Sequence, residues 1–185
     1  IRTFKCHRHT GQPLEIGESY SGLQEPQKTL DPFIQKLTGI SPRELKGQRI
    51  DWAEVDRLFE SAQLLIAHNA SFDRRFVEKY SEPSKNKVWG CSIRQIDWQN
   101  KGFFSKKLEL LCIYHGFFTD SHRALNDADA VIHLLSFDDP LTGEPYLKEL
   151  LENARKPWVR VFATGSPFET KDFLKSRGSV SYTHL

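Results

Sequence analysis

His122-Arg123-Ala124-Leu125-Asn126-Asp127-Ala128-Asp129-Ala130-Val131-Ile132-His133-Leu134-Leu135 sets an acid where an ordinary core would not take one. Wound as a helix, Ala124, Ala128, Val131, Ile132 and Leu135 form one apolar face at helical spacing. Asp127 falls on that face, three residues after Ala124 and four before Val131. A carboxylate turned toward a core is costly unless it is paired, hydrogen-bonded or bound to a metal. A helix that carries such an acid needs a sheet to pack on and a partner for the charge.

Both are found upstream. Leu64-Leu65-Ile66-Ala67 is a short apolar run that reads as a strand of a parallel sheet. His68-Asn69 turns the chain into a helix predicted over residues 70–80, with Phe72, Phe76, Val77 and Tyr80 as its apolar set. Asp73 lies four residues before Val77 and is expected to turn toward the sheet as Asp127 does. The first turn of a helix favours anions. Ligands of open α/β sheets gather at the carboxyl ends of strands. Two inward carboxylates with a His nearby describe a metal site beside a proton acceptor, and oxygen ligands suit Mg²⁺ or Mn²⁺.

Around these motifs the sequence reads as alternating strands and helices. Ile1 to Cys6 and Leu14 to Leu23 are the arms of a hairpin turned at Thr10-Gly11. Asp31-Pro32 opens a short helix that stops at Gly39, and Ser41-Pro42-Arg43-Glu44 is a capping box. Asp51 starts a helix with Trp52, Val55, Phe59 and Ala62 on one face. Residues 83–87 read as a polar loop and Val88 to Ile93 as a strand. Ser105 is expected to cap a helix through His115, closed by Gly116. Residues 138–145 read as a solvated linker, 146–155 as a helix, 158–163 as a strand and 168–175 as a short helix.

Composition bounds the function. Net charge is +2 over 185 residues, so a whole-chain basic signature for nucleic acid is missing. Three widely spaced Cys imply no disulfide framework and a reducing, cytoplasmic compartment. No apolar run is long enough to cross a membrane. Cys6-His7-Arg8-His9 lacks a second Cys/His pair at finger spacing and reads as an incidental strand end. Lys106-Lys107 and Arg74-Arg75 could meet a nucleic-acid backbone, with a solvated helix face as the default.

His68-Asn69-x-x-Phe72-Asp73 followed by His122-Arg123-Ala124-x-x-Asp127-Ala128 resembles the second and third exonuclease motifs of the DnaQ-like superfamily. This is the branch whose ligands are Asp, Glu, Asp and Asp with a His. It includes the proofreading subunit of bacterial DNA polymerase III. Leu37-Thr38-Gly39-Ile40 matches as well, and the likeness runs over roughly residues 1–136. The resemblance implies an α/β, ribonuclease-H-like fold with a mixed sheet flanked by helices. It implies Asp73 and Asp127 as metal-binding acids for Mg²⁺ or Mn²⁺, two ions in the complete protein, and His122 as the base that deprotonates the attacking water. Thr38, Gly39 and Ile40 would lie against the terminal nucleotide, with Asn69 and Phe72 flanking the site. The implied reaction is 3′-to-5′ release of nucleoside 5′-monophosphates from single-stranded DNA ends, with a DNA polymerase subunit as a partner. An exoribonuclease and a non-catalytic nucleic-acid-binding or polymerase-tethering module are the alternatives.

The likeness departs at the family's first motif, Asp-x-Glu on its first strand. Nothing in residues 1–30 supplies it, since Glu15 and Glu18 have the wrong spacing. The expected organisation is an exonuclease domain over 1–137 lacking its first strand, a linker and helix over 138–157, and the start of a small truncated module over 158–178. Residues 179–185 are expected to be a non-native tail. On this reading the chain starts on the second strand of the fold, and the fragment itself would be inactive while the complete protein would be active.

Overall fold

The structure, a computed structural model, describes residues 1–119, 123–157 and 165–176. The architecture is mixed α/β, with small sheets flanked by helices. β1 (Arg2–Cys6) and β2 (Pro13–Ser19) form the antiparallel hairpin, with Phe4 opposite Ile16 and Lys5 opposite Glu15. β3 (Leu64–Ala67) and β4 (Val88–Cys91) pair in parallel, Leu65 beside Trp89 and Ile66 beside Gly90. Among the described residues the strands form these two separate pairs.

Capping chemistry sets the helix starts. In α1 (Pro32–Thr38) the Asp31 carboxylate accepts from the Phe33 amide at 2.7 Å, and Gly39 ends the helix in the left-handed region at φ 65°. In α2 (Pro42–Leu45) both halves of the Ser41–Glu44 capping box are made. α3 (Trp52–Ser61) starts on Asp51 and buries Val55, Leu58 and Phe59, of which Val55 and Phe59 cluster with Leu65. α4 (Ala70–Val77) follows β3, and α5 (Glu82–Asn86) precedes β4. The sequence read 83–87 as a loop, but Ser81 caps the Ser84 amide and Pro83 sits in the first turn, where its missing N–H costs nothing.

The main core lies where α6 (Leu108–Tyr114), α7 (Ala124–Ser136) and α8 (Tyr146–Ala154) meet β4. Trp98, Leu111, Leu134, Tyr146 and Leu150 are all at most 1% exposed there. The Trp98 indole N–H donates to the Ser92 carbonyl at 2.7 Å. His115 bridges the Leu111 carbonyl and the Tyr146 hydroxyl, at 2.7 and 3.0 Å, inside a box of Trp98, Phe103 and Phe137 rings. Each buried polar atom of this cluster is therefore satisfied. Burying a Leu such as Leu150 stabilises by about 2 kcal/mol.

The hairpin is fastened to this core at both ends. Gly11, at φ 70°, lies so close to α8 that a Cβ would come within 2.4 Å of the Lys148 nitrogen. Arg2 holds Asp129 of α7 through Nε to Oδ1 at 2.7 Å and Nη2 to Oδ2 at 2.9 Å. That fork fixes the orientation of α7 against β1, two residues beyond Asp127.

Four expectations need correction. Ser105 does not cap α6 itself: the helix begins at Leu108, and the Ser105 hydroxyl accepts from the Lys107 amide one turn earlier. α4 ends at Val77 instead of Tyr80, and its supposed inward set is largely outside, with Phe72 58%, Phe76 53% and Tyr80 63% exposed. Periodicity located the apolar face, but only its far end is covered: Val77 packs on the α3 cluster and the Tyr80 ring stacks on Trp52 at 4.8 Å, while Phe72 and Phe76 stay in solvent. On α7, burial is confined to Ala130, Val131, Ile132, Leu134 and Leu135, and Ala124 is exposed. Asp139 was expected to be solvated, yet it is 4% exposed and paired with Lys101. The segment around it closes on itself through an Asp138–Pro145 bridge. α9 (Lys171–Ser176) follows a single 3₁₀ turn at Phe168–Thr170, as read. The strand expected over 158–163, the tail over 179–185 and His122 lie outside the described residues.

Candidate active site

The site begins where β3 ends. After Ala67 the chain turns through His68 and Asn69, and Asn69 takes the left-handed conformation at φ 73°. Asn is among the few residues that accept this region, because its short polar side chain bonds locally. Here Asn69 Oδ1 accepts from the Ser71 hydroxyl at 3.0 Å, and the Asn69 carbonyl accepts from the Phe72 amide at 2.8 Å. The turn releases α4 with Asp73 in its first turn.

Asp73 is half-buried, and burial pushes its carboxyl above the usual aspartate range, against a smaller downward pull from a hydrogen bond with its own backbone amide. Among the described residues no cationic side chain pairs with it. A partly desolvated carboxylate in a helix first turn, without a protein counter-cation, is a donor poised for an external cation.

His68 is a structural post. Its Nε2 lies 2.8 Å from the Lys106 carbonyl, which can only accept, so Nε2 carries the proton. Nδ1 then accepts from the buried Ser92 hydroxyl at 2.7 Å. Burial holds the ring below the ordinary histidine pKa, outweighing the Lys106 carbonyl and the field of Asp127, which both favour the cation. Both nitrogens are occupied, so the ring has no lone pair left for a metal.

Asp127 comes from the other side. It stands in the first turn of α7, half-buried, with its amide donating to the Arg123 carbonyl at 3.0 Å. Its field is felt at the His68 ring and at Cys112 of α6, whose thiol is pushed up to about 11 mainly by burial. The Asp127 charge is therefore within electrostatic reach of the turn that joins β3 to α4.

The Thr38-Gly39-Ile40 segment meets the same helix end. A Cβ on Gly39 would stand 3.5 Å from the Arg123 guanidinium. The Thr38 hydroxyl donates to the Ile34 carbonyl at 2.8 Å and accepts from the Ile40 amide at 3.3 Å, which stiffens the turn. The head of α7 thus neighbours two segments: the Asp127 charge reaches the His68 turn, and the Arg123 side chain reaches Gly39. Phe72 projects outward beside Phe76, ring centroids 5.0 Å apart. Among the described residues no three His, Cys, Asp or Glu side chains form a metal-holding group. Two aspartates are what these elements contribute.

Sequence reasoning passed over Ser92 and the carbonyl of Lys106. Neither carries a local signal, because both reach His68 from 24 and 38 residues away.

Comparison with known proteins supplies the family. The pattern of the exonuclease family matches residues 3–135. The chain is 29% identical over 127 residues to an uncharacterized exonuclease, R569, of Acanthamoeba polyphaga mimivirus, covering 62% of this chain and 39% of that protein. It is 32% identical over 139 residues to a PolC-type DNA polymerase III of Halalkalibacterium halodurans, covering 65% of this chain and 9% of the relative. It is 28% identical over 149 residues to the 3′-5′ exonuclease DinG of Bacillus subtilis, covering 74% of this chain and 16% of the relative. The chain thus spans two fifths or less of each of these relatives. No solved structure matches it significantly. With the family pattern running from β1 to the end of α7, over the whole of the ground just described, this chain belongs to the exonuclease family and carries its ribonuclease-H-like fold.

Proposed function

We propose that this chain is the nuclease unit of a metal-dependent 3′-5′ exonuclease acting on single-stranded DNA ends and releasing nucleoside 5′-monophosphates. The observation that carries the reading is Asp73, a half-buried carboxylate with no cationic partner among the described residues, just beyond the His68 turn that the Asp127 charge reaches.

Asp73 and Asp127 would hold the divalent cation, Mg²⁺ or Mn²⁺. When bound, such an ion activates water and stabilises the departing oxygen. His68, locked on Ser92 and Lys106, sets the entry angle of α4 and with it the position of Asp73. Thr38, Gly39 and Ile40 would lie along the terminal nucleotide, where the stiffened turn presents backbone next to the Arg123 guanidinium. Asn69 and Phe72 would flank it. His122 would take the proton from the attacking water.

The PolC-type relatives carry a polymerase in their names, and a DNA polymerase is the partner we assign. Among the described residues no helix is long and apolar enough to cross a membrane.

The sequence lacks the Asp-x-Glu pair over residues 1–30, so slow or no turnover is expected from the 185 residues alone. The test is release of nucleotides from matched 5′-labelled DNA and RNA oligomers, with Mg²⁺, Mn²⁺ or chelator. The chain should be nearly silent. An N-terminal extension that supplies a strand with Asp-x-Glu should restore metal-dependent release from DNA, and Asp73→Asn should abolish it. Full-rate release without the extension contradicts the need for an Asp-x-Glu pair. Restored release that survives Asp73→Asn contradicts the assignment of the site, and preference for the RNA oligomer makes the enzyme an exoribonuclease.

A further inference from the structure

The segment 102–107 between β4 and α6 combines three properties that no role above uses. Phe103 turns inward, its ring 4.9 Å from His115, 5.8 Å from Trp98 and 5.7 Å from Tyr114. Phe104, the next residue, turns the other way and is 95% exposed. A ring so exposed offers its whole face to a flat partner. Two residues on, the Lys106 carbonyl accepts the His68 Nε2–H at 2.8 Å. The backbone on both sides of Phe104 is therefore anchored, one side in the core and the other on the residue that precedes Asn69 and α4. Lys106 and Lys107 are exposed, and among the described residues neither has an acidic partner.

A rigidly presented aromatic face followed by unpaired ammonium groups suits one class of ligand, an unpaired nucleic-acid strand. Every base offers a face to stack on, and each lysine displaces counterions from the phosphates. A duplex hides its base faces in its own stack and cannot use Phe104 except at an end. We infer that Phe104, Lys106 and Lys107 form a guide for the unpaired strand, leading it past His68 toward Asp73 at the start of α4. This rests on the nuclease reading and adds the residues that select single strands.

The test is fluorescence anisotropy of the whole chain, in chelator, with a 5′-labelled oligothymidylate and with a blunt duplex. Phe104→Ala should weaken single-strand binding roughly 5- to 100-fold, the range of one lost base stack. Phe104→Trp should restore it and Phe104→Leu should not. Lys106→Ala and Lys107→Ala should each lower the slope of log affinity against log salt by about 0.7. Unchanged binding by Phe104→Ala, rescue by Leu, or equal affinity of the parent chain for duplex overturns the guide and leaves the nuclease reading in place. Absence of any oligonucleotide binding by the parent chain overturns both.

Discussion

Two partly buried acids in this molecule meet opposite fates. Asp139 is 4% exposed and fully compensated. The Lys101 ammonium stands 2.5 Å from Oδ2 and also 2.8 Å from Glu149, while Oδ1 accepts from the Leu141 amide at 2.9 Å. Burial pushes the Asp139 carboxyl up, but the Lys101 hydrogen bond, the Leu141 amide and the Lys101 charge together outweigh it and hold the group below the usual range. Asp73 is less buried, has no cationic partner among the described residues, and is pushed up instead. A charge that the fold neutralises itself serves the fold. One that the fold desolvates without a cationic partner among the described residues is open to a cation from outside. The contrast separates a structural clamp between the 97–101 turn and α8 from the site we propose at the head of α4.

The largest expected effect falls on the clamp. Lys101→Met strands the Asp139 charge and should cost about 3–5 kcal/mol in urea unfolding, the usual loss when one partner of a buried pair is removed. Lys101→Met combined with Asp139→Leu and Glu149→Gln should recover most of that. A single variant within about 0.5 kcal/mol of the parent would show that the pair is not buried in solution.

Next comes Asp73. Its carboxyl titrates higher in the fold than in the unfolded chain, so it contributes stability only in acid, and that contribution is lost as pH rises through the folded value. At neutral pH Asp73→Asn should therefore melt higher than the parent. Mn²⁺ at about ten times its dissociation constant should stabilise the parent by about 1.4 kcal/mol and leave Asp73→Asn unmoved. A lower melting point for Asp73→Asn would mean that its charge is compensated after all.

A smaller effect concerns His68. Its folded pKa is depressed, so its contribution is present above the ordinary histidine value and is lost as pH falls through the folded one. Stability should decline below about pH 6.5, and His68→Gln should flatten that limb of a melting-temperature profile. An unchanged profile would show that the ring is open to water. The smallest effect is Asp138→Asn beside the clamp: Asp138 is exposed, and melting should not shift measurably.

What the sequence made legible was local. Asp31, the Ser41–Glu44 box, Gly39 and Asn69 each act on atoms within a few residues, and each sits as read. The run Leu64–Ala67 and the heads of α4 and α7 were readable for the same reason. The clamp was not, because Lys101 and Asp139 are 38 residues apart and the acid looks like any other in a turn. The exposure of Phe72, Phe76 and Phe104 was hidden too: spacing marks a face as apolar, but only the packed neighbours decide whether it is covered. Pro83 misled because proline both breaks helices and starts them.

The claim on which the rest depends is that Asp73 and Asp127 together hold a divalent cation. Mn²⁺ binding followed by electron paramagnetic resonance tests it without any need for turnover, on the parent chain and on Asp73→Asn, Asp127→Asn and the double variant. The account predicts one saturable class of ion in the parent, lost equally in either single variant and in the double. Binding that persists undiminished in the double variant, or a parent chain that binds no Mn²⁺ at all, would contradict it.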